Sequence, residues 1–198
     1  MTEPLDARER RQLCALLSEL GPDAPTLCEG WTTSDLAAHL VIREHLHHWT
    51  ARRMADEKAR GWTAQVSRLR GGPPWPWRIP GLRELGNGIE YFIHHEDVRR
   101  ANGLGPRPRA DDLEALCWRM SGYMGRRLAR RIRPFALELV RPDGRRRRFG
   151  GRTVAAARLR GPASELALFL SGRRSSAQVR VDGDEAAVSA VARSDLRL

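Results

Sequence analysis

Apolar residues recur at every third or fourth position in four stretches of the first two thirds of the chain. This spacing places them on one face of a helix. It predicts amphipathic helices over residues 6–20, from residue 33 onward, over 82–101 and over 111–131. Gly21-Pro22 and Asn102-Gly103 supply the stop signals of the first and third helices.

The segment between the second and third helices has a different composition. Residues 61–81 contain GGPPWPW, and proline interrupts a helix because it lacks the backbone N–H donor. We therefore predict a non-helical excursion that is packed by Trp75 and Trp77. It is long enough to form one wall of a pocket.

After Pro134 the apolar period changes from that of a helix to that of a strand. A hairpin is predicted from residues 135–140 and 145–149, around the turn Pro142-Asp143-Gly144. A third strand over 154–159, a helix over 162–170, a strand over 177–181 and a last helix over 184–191 follow. The predicted fold class is α+β, with a four-helix bundle over residues 1–133 and a small α+β domain over residues 134–198.

The composition is that of a globular protein in a reducing compartment. Hydrophobic residues make up 41% of the chain and charged residues 30%, which excludes a disordered chain and a fibre. No apolar run approaches the roughly 20 residues of a membrane span, and the N-terminus lacks the apolar stretch of a signal peptide. Cys14, Cys28 and Cys117 are odd in number and widely spaced, which predicts reduced thiols. We expect a cytoplasmic protein in which Cys28 is a buried, small apolar side chain, with a reactive thiol as the alternative.

The net charge of +11 is carried almost wholly by arginine, with Lys58 the only lysine. Such a charge suits a polyanionic partner, but arginine in place of lysine is also what GC-rich coding produces. A basic stripe is formed by Arg126, Arg127, Arg130 and Arg131, and a second group by Arg145, Arg146, Arg147 and Arg148. A solvated face is the simpler interpretation, and a surface for a carboxylate-bearing cosubstrate or for nucleic acid is the alternative.

Nucleic acid is not the partner that the sequence favours. The arginines are spread over both predicted domains, and no helix presents a recognition motif. We predict that any DNA binding is weak, has no sequence preference and is removed by salt.

The candidate chemistry lies on the second and third helices. Glu90 and His94 are four residues apart, so their side chains project from one face about 6 Å apart, close enough to hold one cation. His39, on the apolar stripe of the second helix, is available as a third ligand. A carboxylate and two imidazoles suit zinc, with nickel, iron and manganese as alternatives, and leave one position open. From spacing alone, a solvated Glu90–His94 pair and a hydrogen-bonded core His39 are the favoured interpretation.

A rival set of residues has the same spacing. Glu44 and His48 are also four residues apart, and His45 and His47 lie beside them. Spacing does not choose between the two sets. The rival segment lies beyond the apolar stripe, at what looks like the exposed end of a helix, which argues against it.

Two motifs resemble the signatures of one family. TLCEGWTTSDLAAHL, residues 26–40, has a Gly-Trp pair before a helix that carries a histidine, and EYFIHHEDVRRA, residues 90–101, has a Glu-x-x-x-His pair followed by Asp. Both are similar to motifs of the DinB-like, mycothiol-dependent maleylpyruvate isomerase superfamily. The resemblance implies that His39, Glu90 and His94 bind a divalent metal.

The resemblance extends to the C-terminal part and to function. Residues 158–191 are similar to the sterol-carrier-like region of many of these proteins. The resemblance implies a transferase or isomerase in which the metal activates mycothiol or another small thiol toward an electrophile, so that the protein's own cysteines are dispensable. It does not transfer a substrate, because the superfamily includes isomerases, S-transferases and members of unknown activity. A non-catalytic metal-binding, small-molecule-binding or regulatory module is the alternative.

Two further residues lie close to the predicted ligands. Asp97 follows His94 by three residues, so it lies on the ligand face and could orient a ligand, with an ion pair to Arg100 as the alternative. Arg43 lies one turn after His39, where it could hold an anionic group of a substrate, and an exposed arginine at the rim is the alternative.

Overall fold

The computed structural model of the protein describes residues 3–45, 50–73, 82–150 and 155–196. By their contacts the residues divide into two compact units, Met1–Pro108 and Arg109–Leu198. The first unit is helical and the second combines helices with a four-stranded sheet, so the predicted α+β class is confirmed. None of the described helices is long and apolar enough to span a membrane.

The first unit is built around one large apolar core, with a smaller cluster formed by Ala38, Ile42 and Met54. Its described helices are α1 (Leu5–Leu20), α2 (Thr33–Glu44), α3 (Ala51–Lys58), α4 (Trp62–Gly71) and α5 (Leu82–Ala101). α1 packs against α4 and α5, and α2 packs against α3 and α4. The apolar faces of α1, α2, α4 and α5 meet in this core, whose fully buried side chains include Leu13, Leu17, Leu36, Leu40, Leu69 and Tyr91. Burial of each such leucine stabilises the fold by roughly 1.5–3 kcal/mol, so this core fixes how the helices pack.

A capping box fixes where α2 begins. The Thr32 N–H donates to Asp35 Oδ2 at 3.0 Å, and the Thr32 hydroxyl oxygen accepts from the Asp35 N–H at 3.5 Å. Lys58 on α3 donates to the other oxygen of Asp35 at 2.6 Å. The two bonds between Thr32 and Asp35 satisfy two backbone N–H groups at the N-terminus of α2. Because they fix the residue at which α2 begins, they also determine on which face of the helix His39 lies.

One part of the predicted excursion is helical. Residues 62–71 form α4, between Gly61 and Gly72, which have φ of +84° and +75°. The prediction of a non-helical segment over 61–81 is wrong here, because the prolines begin only at Pro73 and the buried Val66 and Leu69 give the preceding residues an apolar face. Trp75 and Trp77 lie outside the described residues.

The second unit is a four-stranded sheet covered by helices. Its elements are α6 (Asp111–Arg131), β1 (Ala136–Val140), β2 (Arg146–Phe149), β3 (Ala156–Arg160), α7 (Ala163–Leu170), β4 (Arg180–Gly183) and α8 (Glu185–Arg193). The strand order is β2-β1-β3-β4, with β1 and β3 parallel and the two edge strands antiparallel. The predicted hairpin, third strand and two helices are present, and β4 begins three residues later than predicted.

α6 belongs by its contacts to the second unit. It packs against α7, β1 and β2. Its Glu114 carboxylate accepts hydrogen bonds from the Ala163 N–H at 2.8 Å and the Ser164 N–H at 3.2 Å, at the N-terminus of α7. The units therefore divide after Pro108, and not between residues 133 and 134 as the change of apolar period predicted.

Candidate metal centre

Three potential metal ligands converge in the first unit. His39 on α2 places Nε2 3.5 Å from Oε1 of Glu90, and His94 on α5 places Nε2 3.3 Å from the same oxygen. The three donor atoms all lie within 4.8 Å of one another. The structure thus brings together the set that the two sequence motifs single out.

Ring contacts hold the two imidazoles in place. The His39 and His94 rings meet edge to face, with centroids 5.5 Å apart. On its other side His39 contacts the Trp31 ring at 5.2 Å. Trp31 was not predicted as a site residue, since only its place in the Gly-Trp pair of the first motif marks it in the sequence.

Asp97 orients the His94 ring by contacting Nδ1, the ring nitrogen that does not face Glu90. Its carboxylate is fully buried, and its Oδ2 accepts a hydrogen bond from Nδ1 of His94 at 3.0 Å. A proton held on Nδ1 leaves Nε2 free to act as a donor atom toward a cation. Arg100, the alternative partner, donates to Glu96 at 2.8 Å.

Cys28 is a residue of this site that sequence reasoning misjudged. It is partly exposed, whereas a buried apolar side chain was predicted. Its thiol donates to Asp97 Oδ2 at 3.3 Å and lies 3.9 Å from Nδ1 of His94. The reason is tertiary: the turn that begins at Thr26 lies against α5, where the Leu27 N–H donates to the Asp97 carbonyl at 3.2 Å. Cys28 and Asp97 are 69 residues apart in the sequence, so no local spacing predicts their contact.

The charges of the site favour an ionised Glu90. Burial alone would raise the pKa of Glu90, but hydrogen bonds with His39 and His94 and the charge of Arg43 outweigh it and hold the pKa well below its usual range. Burial alone would lower the pKa of His94, but its bonds with Asp97, Cys28 and Glu90 raise that pKa well above the ordinary value. The site therefore places the carboxylates of Glu90 and Asp97 against the positive charge of Arg43 and His94.

Arg43 faces the same site. Its Nε lies 3.5 Å from Oε1 of Glu90, and its Nη1 donates to Asn87 Oδ1 at 2.7 Å. A further bond from Nη2 reaches the Gly86 carbonyl at 3.2 Å. The side chain is 32% exposed, so the guanidinium borders the ligands and also meets solvent.

The rival set is arranged differently. Glu44 is buried and faces α1, with Oε1 3.5 Å from Nη1 of Arg10. His45 stands at the end of α2, where its Nδ1 is 2.8 Å from the Val41 carbonyl. His47 and His48 lie outside the described residues. Glu44 therefore has an ionic partner within the fold.

A comparison with protein families identifies the C-terminal part. Residues 109–190 match the family model described as the MDMPI C-terminal domain. The second unit contains an MDMPI C-terminal domain. The match confirms the resemblance to the mycothiol-dependent maleylpyruvate isomerase superfamily that the motifs predict. No curated protein and no solved structure matches the chain. The MDMPI match does not include the ligand residues, whose assignment rests on the motifs and the geometry.

The donor set of His39, Glu90 and His94 fits a divalent cation. In a tetrahedral site with metal–ligand bonds of about 2.0–2.1 Å, neighbouring donor atoms are about 3.3 Å apart. The separations of 3.3 and 3.5 Å from Glu90 Oε1 to the two imidazole nitrogens agree with this value. The same separations suit hydrogen bonds, which hold the three side chains in position without the cation.

Proposed function

We propose that His39, Glu90 and His94 bind a divalent cation, with zinc as the expected ion, and that the protein is a thiol-dependent transferase or isomerase. The observation that carries this proposal is the convergence of two imidazole nitrogens and one carboxylate oxygen within 4.8 Å. The superfamily resemblance suggests mycothiol as the thiol and an electrophilic small molecule as the second substrate.

The exposure of the ligands supports a catalytic site over a structural one. The side chains of His39 and Glu90 are each 24% exposed, against 8% for His94. Structural zinc sites are closed by four protein ligands, whereas catalytic sites keep a position for water or substrate. Cys28 does not supply the fourth ligand, because it contacts Nδ1 of His94 while Glu90 contacts Nε2.

Each residue around the ligands has a role in the proposed chemistry. A bound cation would lower the pKa of a coordinated thiol, so that the nucleophilic thiolate forms at neutral pH. Asp97 keeps the His94 proton on Nδ1, and Trp31 packs on the ring of His39. The Arg43 guanidinium offers a carboxylate of the electrophile a charged hydrogen-bonding partner beside Glu90.

Metal analysis of purified variants tests the ligand set. We expect about one divalent ion per chain in the unaltered protein, and a loss of that ion in His39→Ala and in His94→Ala. His45→Ala is the matched control, because it removes an imidazole at the C-terminal end of the same helix, away from the ligands, and should keep the metal. Retention of the full metal content by His39→Ala, with loss in Glu44→Ala, would move the site to the rival set.

Calorimetry with mycothiol tests the catalytic part. The metal-loaded protein should bind mycothiol with release of a proton, since the bound form is the thiolate. Glu90→Ala is the control and should not bind it. Equal binding to both proteins, or none to either, would leave the non-catalytic module as the function.

A further inference from the structure

The excess of positive over negative charge is concentrated in the second unit. Residues 109–198 contain 20 arginines against 10 carboxylates, whereas residues 1–108 contain 15 basic and 14 acidic residues. Arginines occur in both units, but the excess of basic over acidic residues lies almost wholly in the second unit. A coding bias acts on the whole gene, so it does not explain an excess in one unit only.

Three exposed arginines of this unit lie on one face of α6. Arg119, Arg126 and Arg130 share one face with Tyr123, because the four residues are spaced by four, three and four positions. All four are exposed, and Tyr123 keeps 65% of its surface accessible. In the part of the chain that the structure describes, no carboxylate lies within ion-pair distance of these three arginines.

The sheet of the same unit shows the contrast. Arg158 donates to Glu138 at 3.1 Å, and Arg160 donates to Asp182 at 2.7 Å. The arginines of β3 are thus neutralised by neighbouring strands, as expected of a solvated face. We call the exposed residues Arg119, Tyr123, Arg126 and Arg130 the basic face of α6.

A groove runs beside the basic face, between α6 and β2. It comprises two cavities of about 770 and 510 Å³ that share Arg126, Arg148 and Phe149 among their walls. None of the described lining residues is acidic. Two glycines of α6 make the close approach of β2 possible, since a Cβ at Gly122 would meet the Arg147 guanidinium and one at Gly125 the Phe149 ring.

Packing orders the groove arginines. The Arg147 guanidinium stacks on the Trp118 ring at 4.4 Å and donates to the Trp118 carbonyl at 2.7 Å. Arg126 lies over the Phe149 ring at 5.8 Å. Burial lowers the pKa of Arg147, and the neighbouring charge of Arg126 lowers it further. An anion bound here would relieve this repulsion between like charges.

We propose that the basic face of α6 and its groove bind single-stranded nucleic acid without sequence preference. Arg119 and Arg130 are about 17 Å apart along the helix at 1.5 Å per residue, which suits a row of phosphates better than a single small anion. Tyr123 lies between them and offers a ring on which a base can stack. A duplex buries its base faces, so this aromatic position favours a single strand.

The surface does not fit an anionic membrane equally well. An interfacial helix needs an apolar face that enters the lipid. Among the described residues, Leu104 and Tyr123 are the exposed large hydrophobic side chains, and only Tyr123 is on α6. Charge without an apolar face is the pattern of a surface that tracks a phosphate backbone.

Fluorescence anisotropy with a labelled 20-nucleotide oligothymidine tests the proposal on the full chain, in chelator so that the metal site plays no part. Binding should weaken with salt, with a slope of about −0.7 per phosphate contact in a log–log plot. The Arg126→Gln/Arg130→Gln double variant should make the slope shallower by about 1.4 and weaken binding at low salt at least about tenfold. Arg158→Gln/Arg160→Gln removes the same charge from paired positions and should retain most of the affinity.

Two further binding measurements distinguish a preference for nucleic acid from a general affinity for anions. Tyr123→Leu should weaken oligothymidine binding about fivefold or more and leave the binding of inorganic polyphosphate unchanged. Equal losses in both arginine double variants, no loss in Tyr123→Leu, or tighter binding to phosphatidylserine vesicles than to the oligonucleotide would each overturn the proposal. Loss of binding at the basic face alone, with the base-dependent effect of Tyr123, would support it.

Discussion

Nδ1 of His94 donates a hydrogen bond to Oδ2 of Asp97 at 3.0 Å, while Nε2 of the same ring lies 3.3 Å from Glu90. One imidazole is thus held between a fully buried carboxylate and a partly exposed one. A carboxylate behind a metal-binding histidine fixes the ring and makes the donor nitrogen more basic. The spacing of three residues between His94 and Asp97 on α5 is what allows both contacts.

We expect Asp97→Asn to lower the affinity for zinc about tenfold and Asp97→Ala by up to about 100-fold. The amide can still accept from Nδ1 of His94 but has no charge, and alanine offers no acceptor at all. Competition with a chelating dye measures the affinity. Asp56→Asn is the control, because Asp56 is exposed on α3 and should leave the affinity unchanged. Unchanged affinity in Asp97→Ala would show that His94 does not need this partner, or does not bind the metal.

Sequence periodicity predicted the long helices well and the site only in part. α5 and α6 have the predicted bounds, because their apolar positions repeat over five turns or more and Asn102-Gly103 ends α5. α3 and α4 were missed, since such short helices carry few apolar repeats and the prolines after α4 suggested a non-helical segment. α6 belongs to the second unit through contacts with α7, β1 and β2, and no local sequence pattern predicts such tertiary contacts.

The ligands differ in how far the sequence could predict them. Glu90 and His94 share one helix face, so spacing alone brings them together. His39 needed the family motif, because no local rule relates it to a residue on another helix. Cys28 and Trp31 belong to the turn before α2, and only the packing of that turn against α5 brings them to the site.

The buried Glu44 makes stability depend on pH. Burial raises its pKa to about 7 from a model-compound value of 4.5, against the opposing charges of Arg10 and Arg43. Asp6 on α1 also faces it and raises the pKa. Neither carboxylate oxygen has a hydrogen-bond partner among the described residues. The folded state therefore holds the proton more tightly than the unfolded chain does.

The resulting stabilisation is fully present below pH 4.5 and is lost as the pH rises through about 7. The free energy of unfolding should fall by at most roughly 3 kcal/mol over this range, at about 1.36 kcal/mol per pKa unit. Glu44→Gln should remove most of this fall and be the more stable protein at pH 8. Urea denaturation at several pH values measures it, with Glu19→Gln on the exposed face of α1 as control. A Glu44→Gln protein with the full original pH dependence would contradict the assignment.

Gly183 is required by both its backbone angle and its surroundings. It ends β4 with φ of +126°, and a Cβ there would meet the Ala156 carbonyl oxygen of β3. Gly144, in the β1–β2 turn, has φ of +83° and open space around it. We expect Gly144→Ala to cost about 1 kcal/mol of stability, and Gly183→Ala to cost about 3 kcal/mol or more because the clash adds to the strain. Thermal denaturation of the pair measures the difference, and equal costs would show that β4 moves away without penalty.

The three cysteines should differ sharply in reactivity. Cys14 and Cys117 are fully buried, and burial raises the pKa of Cys14 to about 12 against the charges of Arg70 and Arg10. Cys28 is partly exposed. Iodoacetamide at pH 8 without denaturant should therefore add one label, on Cys28, since the thiolate is the reacting form. Peptide mass spectrometry locates the label, and a native label on Cys14 would contradict the burial of that side chain.

Cys28 should nevertheless be dispensable for thiol-dependent activity. Its thiol donates to Asp97, and the serine hydroxyl of Cys28→Ser can make the same bond, whereas Cys28→Ala leaves that oxygen with one donor fewer. We expect Cys28→Ser to keep the zinc affinity and the turnover with added mycothiol, and Cys28→Ala to lose a few-fold in zinc affinity. The two variants separate a hydrogen-bond donor from a nucleophile, because serine replaces the first role and not the second. If Cys28→Ser binds zinc and mycothiol normally but has no turnover, Cys28 itself takes part in the reaction, and the added thiol is not the sole nucleophile.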